Sequence, residues 1–163
     1  MKQNITSDQI EKNIEQLESV ERALETYMEN KRDAFPRFYF LSDDEVLEIL
    51  AKSDNTEVIQ QFLKQMFDGI VKISIADGID ITHMKSKEDE QVALASKVKV
   101  SKEVDGWLDN LQKMMETTLK KEMKKTQADY VTQERKEWVS KHYGQCVATI
   151  AQVQWCSNTE GAI

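Results

Sequence analysis

"KRDAFPRFYFLSDDEVLEIL", residues 31–50, places four aromatic rings, Phe35, Phe38, Tyr39 and Phe40, within six residues around the chain's single proline, Pro36. Proline disfavours the α region for the residue before it, so Phe35 ends the helix that arrives from the N-terminal side. Ser42 and Glu45 then form the Ser-x-x-Glu pattern of a capping box, which starts a second helix with Val46, Leu47, Ile49 and Leu50 on its apolar side. The stretch therefore predicts a helix, a corner and a helix. Phe35, Pro36, Arg37, Phe38, Tyr39, Phe40, Ser42 and Glu45 are its candidate structural joint. The rings, Phe40 included, are expected to fill the corner, each burying roughly 150–250 Å², while Arg37 points outward or pairs with a nearby carboxylate.

Working outward, residues 7–34 read as one long amphipathic helix, with Ile10, Ile14, Leu17, Leu24, Tyr27 and Met28 at helical spacing. Residues 35–70 hold the aromatic corner and two helices. In the second of these, capped by Thr56, Ile59, Phe62, Leu63, Met66, Phe67 and Ile70 make the strongest core stripe in the chain. The period changes over residues 71–100. Val71, Ile73 and Ile75 alternate, "ADG" turns, Ile79 and Ile81 alternate, and Val92, Leu94, Val98 and Val100 follow "KSKEDE", which predicts a hairpin patch of two or three antiparallel strands. Residues 101–163 return to long helices. Trp107, Leu108 and Leu111 line the first, and Trp138, Val139, Val147, Ile150, Val153 and Trp155 fall on a last helix expected from Gln133 to Trp155. Trp107, Leu108, Leu111 and Trp155 join the predicted core. The fold class is mainly α, antiparallel helical bundle segments with one small antiparallel β-hairpin.

A chain of 163 residues can bury one real core, and its net charge of −7 lacks the basic face that nucleic-acid binding requires. The start is polar and no run approaches the ~20 apolar residues of a membrane span. Neither nucleic acid nor membrane is expected as a partner, and the chain reads as soluble and intracellular. Cys146 and Cys156 on one helix would stand about 15 Å apart, beyond the ~7 Å reach of a disulfide, so they read as free thiols. No P-loop or dinucleotide fingerprint occurs among the glycines, and no third ligand at metal spacing joins the cysteines beyond His83 and His142. No catalytic residue, cofactor or metal is expected. "SDDE" and "KEDE" suit a helix start and a turn, and "KKEMKK" a solvated helix face.

The order of blocks is more specific than any one of them. "YMENKRDAFPRFYFLSDDEVLEILAKS" resembles the segment of dynein heavy chains where a basic pair runs into Phe-Pro-Arg-Phe-Tyr-Phe, then serine, acids and Leu-Glu-Ile-Leu. "FLKQMFDGIVKISI", "ITHMKSKEDEQVALASKVKV", "VDGWLDNLQKMMETTLKK" and "YGQCVATIAQVQWCSNTEGAI" are similar to the family's following blocks in the same order. The resemblance implies the C-terminal half of the linker, just before the first AAA+ module of an ATP-driven microtubule motor. It implies a mechanical role without catalysis, partners in the remaining linker and the AAA+ ring of the same chain, and microtubule contact only through other parts of the parent. The implied place is cytoplasmic and cytoskeletal, with "SDDEVLEIL" inclining to the ciliary axoneme. At the hairpin tip the family usually has Ser-x-Glu-Gly-Glu. This chain has Asp89 at the glycine, so the tip is not expected to rely on a residue free to take positive φ. A self-contained helical adaptor with an apolar groove is the alternative reading.

Overall fold

The computed structural model describes residues 7–53 and 55–161. Helix α1 (Ser7–Ala34) stops where Phe35 turns extended ahead of Pro36, and Pro36–Phe40 continue as a single 3-10 turn. Helices α2 (Asp43–Ala51) and α3 (Thr56–Met66) follow, then strands β1 (Lys72–Ala76), β2 (Asp80–Lys85) and β3 (Gln91–Lys99). The chain finishes with α4 (Val104–Thr132), α5 (Arg135–Lys141) and α6 (Gly144–Glu160). The fold is mainly α with one antiparallel sheet of three strands in sequence order.

Two turns explain the sheet. Asp77 (φ 53°) and Gly78 (φ 72°) both take positive φ, the pattern of the hairpin turn whose twist matches its strands. At the second tip Asp89 itself adopts φ 67°, so the turn takes positive φ at this position without a glycine. Aspartate tolerates the left-handed region because its short polar side chain bonds locally, here to Lys85 Nζ at 2.8 Å. β3 pairs with β2 at Ala93 opposite His83 and again at Val98 opposite Ile81, so residues 94–97 leave the ladder across from Thr82. They lean on α4, where the Ala95 N–H donates to the buried Thr118 hydroxyl at 2.9 Å. That bond satisfies a backbone donor the ladder has released.

One core runs from the corner through α3 and the inner face of the sheet to the start of α4. It contains Ile59, Phe62, Leu63, Met66, Phe67, Ile70, Trp107, Leu108 and Leu111, with Ile73, Ile81 and Val98 from the strands. Three expectations fail against it. Asn55, not Thr56, caps α3, its side-chain oxygen accepting from the Glu57 N–H at 3.0 Å. The helix expected from Gln133 to Trp155 is broken into α5 and α6, because Trp138 and His142 turn inward on α4 and Gly144 is a poor place to continue a helix. Trp138 Nε1 donates to the Thr126 carbonyl at 2.8 Å, and His142 Nδ1 lies 3.2 Å from the Thr126 hydroxyl. Trp155 is 70% exposed rather than core. α6 buries Cys146 and Ile150, four residues apart, and Trp155 lies nine residues from Cys146, about half a helical circuit away.

The two buried tryptophans give a comparison. Among the described residues Trp107 Nε1 has no hydrogen-bond partner, whereas Trp138 Nε1 has one. Trp138→Phe is expected to cost about 1 kcal/mol more than Trp107→Phe in urea unfolding, since only the former removes a made bond and leaves a buried carbonyl short. Equal costs would show that the Trp138 bond contributes nothing net.

Candidate mechanical joint

The corner's geometry follows from its 3-10 turn. Three residues per turn place every third side chain on one face, and Phe35, Phe38 and Leu41 are buried at that spacing. Phe35 and Phe38 meet edge to face at 5.1 Å between ring centroids, and Phe35 also lies 6.3 Å from Phe67 at the end of α3. The two rings between Phe38 and Leu41 project the other way. Tyr39 is 56% and Phe40 68% exposed, which corrects the expectation that Phe40 fills the joint. Tyr39 is held at the surface, its hydroxyl donating to Glu29 on α1 at 3.2 Å.

Arg37 differs most from its sequence reading. It neither points outward nor pairs with a carboxylate. Its Nε donates to Gln112 Oε1 on α4 and its Nη1 to the Met66 carbonyl, each at 2.8 Å, while its guanidinium lies 4.7 Å from the Phe67 ring centroid. Met66 closes α3, so that carbonyl is one of the acceptors a helix leaves unpaired at its C-terminal, negative end. A rigid planar donor set fits there and reaches α4 as well. Neither Phe67 nor Asp68 is a glycine that could close α3 with a left-handed cap, so the sequence shows that the end of α3 needs another group but not which one.

Ion pairs tie the remaining sides. Lys31 Nζ bonds Asp105 Oδ1 of α4 at 2.8 Å, which holds the ammonium above its ordinary pKa. Arg32 pairs with Asp43 at the start of α2. The capping box is complete. The Ser42 N–H donates to Glu45 Oε2 at 2.8 Å, the Glu45 N–H to Ser42 Oγ at 3.4 Å, and Gln65 of α3 donates to Glu45 Oε1 at 3.1 Å. Pro36 and Ser42 stay at the surface while their backbones set the turn. One corner thus joins α1, α2, α3 and α4. Beyond Phe67 and Ile70 a cavity of about 320 Å³ opens toward Met84, Val92 and Tyr143. Across it Glu90, from the hairpin tip, accepts the Gly144 N–H at 2.9 Å and so caps α6.

The capping box carries a pH dependence of known sign. The Ser42 backbone bond, then Gln65 and the Ser42 hydroxyl, hold the Glu45 carboxyl below its ordinary value of 4.5. A depressed folded-state pKa gives stability that is present above the unfolded value and lost as pH falls through the folded one. Glu45→Gln, which removes the titrating carboxyl, is therefore expected to flatten the acid limb of the stability curve below about pH 4.5. An acid limb unchanged by Glu45→Gln would count against the box.

A family described as dynein heavy chain, N-terminal region 2, matches residues 1–126. Dynein axonemal heavy chain 6 of Homo sapiens is 38% identical over 160 residues, covering 86% of this chain and 4% of the relative. Dynein axonemal heavy chain 1 of Homo sapiens is 35% identical over 147 residues, covering 90% of this chain and 3% of the relative. Cytoplasmic dynein 2 heavy chain 1 of Tripneustes gratilla is 39% identical over 153 residues, covering 92% and 4%. The chain thus spans only a few hundredths of the length of the relatives it matches.

Proposed function

This chain belongs to the dynein heavy chain family, and on that premise we propose that it forms the C-terminal half of the linker, a lever that passes movements of an AAA+ ring into travel along a microtubule. The observation that supports this reading is the corner itself. Arg37 joins the corner to α3 and α4, and the Lys31–Asp105 and Arg32–Asp43 pairs tie α1 to α4 and α2, which is what an arm needs to carry bending load without loosening. The segment is mechanical. It performs no catalytic step and needs no cofactor of its own, and its partners are the remaining linker and the ring of the same polypeptide. Microtubule contact belongs to other parts of the parent. Its place is cytoskeletal, in the ciliary axoneme, in keeping with the axonemal names among its relatives.

The experiment places Phe38→Ala in the full-length heavy chain. Gliding velocity is expected to fall further than ATP turnover, because a conformational step is impaired while the chemistry lies elsewhere. Equal losses would make the corner part of the assembly of the nucleotide site, and no loss of either would overturn the lever. A free-standing helical adaptor would also present an apolar helix face, as α1 does. It predicts that Phe38→Ala leaves both motor readouts unchanged.

A further inference from the structure

The cavity beyond Phe67 and Ile70 has a chemistry that the joint does not use. Its volume of about 320 Å³ is that of a small-molecule site, and such sites are mostly apolar with a few polar groups that orient the guest. Phe67, Ile70, Met84, Val92, Met115 and Leu119 supply the apolar walls. Two of the six are methionines, on β2 and α4, and a methionine wall reshapes around what it holds. Gly69 also lines the cavity, and a Cβ added there would meet nothing within 4 Å, so the space continues up to the backbone. Burial first, then Glu122 and Glu90, pushes the hydroxyl of the lining Tyr143 above its ordinary pKa, the mark of a wall that water reaches poorly.

Charge selects the guest. Four charged side chains line the cavity, Arg37, Asp68, Lys85 and Glu90. Lys85 is paired with Asp89 at 2.8 Å, Glu90 accepts the Gly144 N–H at the positive end of α6, and Asp68 is exposed. Arg37 differs from all three. Among the described residues its charge meets only the neutral acceptors Gln112 Oε1 and the Met66 carbonyl, which occupy two of its five N–H groups. A half-buried guanidinium lying on an aromatic ring, with donors to spare and no opposite charge, favours a carboxylate, because a charge drawn out of water gains most from a charge-assisted bond. A cationic guest would face Arg37 unscreened.

We propose that this cavity binds a small amphiphile carrying one carboxylate, its apolar body between Met84, Met115 and Leu119 and its carboxylate on Arg37. The corner, the hairpin and α4 all contribute walls, so a bound guest ties them together. The inference goes beyond the lever and does not rest on it.

Octanoate is the probe, compared with octanol and octylammonium of equal chain length. In methionine methyl NMR, octanoate should shift Met84 and Met115 saturably and leave Met28 of α1 and Met123 of α4 in place. It should bind at least about tenfold more tightly than octanol, and octylammonium more weakly than either. The urea midpoint of the chain should rise with octanoate concentration. Leu119→Trp, which fills the cavity, should abolish the shifts, whereas Leu17→Lys combined with Leu24→Lys on the exposed face of α1 should leave them unchanged. The three probes on the unaltered chain decide the matter even if Leu119→Trp does not fold. No shift at Met84 and Met115, equal affinity for octanoate and octanol, binding that survives in a folded Leu119→Trp chain, or binding lost with the α1 pair would each overturn the proposal. None of these results bears on the gliding and hydrolysis comparison, so the guest and the lever fail separately.

Discussion

Phe38→Ala should destabilise the chain by roughly 3–5 kcal/mol, the usual cost of truncating a buried phenylalanine, whereas Phe40→Ala should fall within about 0.5 kcal/mol of zero. The two positions differ by one short step along the same 3-10 turn. Phe38 has no exposed surface and packs edge to face on Phe35, while Phe40 faces solvent. Urea unfolding of both variants measures the contrast. A Phe40 cost approaching that of Phe38 would mean that the turn is wound differently from the one described.

Arg37→Met should be the most damaging polar substitution in the corner, at about 3 kcal/mol, because it leaves both the Met66 carbonyl and Gln112 Oε1 without a charged donor. Methionine keeps much of the contact with Phe67, so the loss isolates the hydrogen bonds. Arg37→Lys should recover less than half of it, since a single ammonium does not reproduce a fork aimed at two acceptors on different helices. Faster amide exchange at the end of α3 would locate the damage. Full recovery by lysine would show that charge alone matters there.

The aromatic corner and the sheet were legible because their signals are local, whereas the break before Gly144 was not. Pro36 with the Ser42–Glu45 box fixes one corner, and the switch to alternating Val71, Ile73 and Ile75 announces the strands. Asn55 and Thr56 are adjacent and both competent caps, so choosing between them needed coordinates. What stayed hidden depended on geometry that a 3.6 period does not describe. Four rings in six residues look alike as a sequence, yet a three-residue turn buries Phe35 and Phe38 and expels Tyr39 and Phe40. Trp155 failed for a related reason, since size alone placed it in the core while the row through Cys146 and Ile150 turns it away. Arg37 lay beyond any pattern because its partners are 29 and 75 residues distant.

The carboxylate of Glu90 on the first turn of α6 bears on the order in which the chain acquires structure. No side chain of Tyr143 caps that helix, and the group that does arrives from 54 residues upstream. Helix α4 needs only its own sequence and the sheet beside it. The cap of α6, unlike the helix itself, forms only when the hairpin tip is closed and a loop of that span has been drawn shut, an entropic cost that grows only slowly with length. Under native conditions the first turn of α6 is therefore expected among the first to open to solvent exchange, since its cap is lost whenever the hairpin tip moves away.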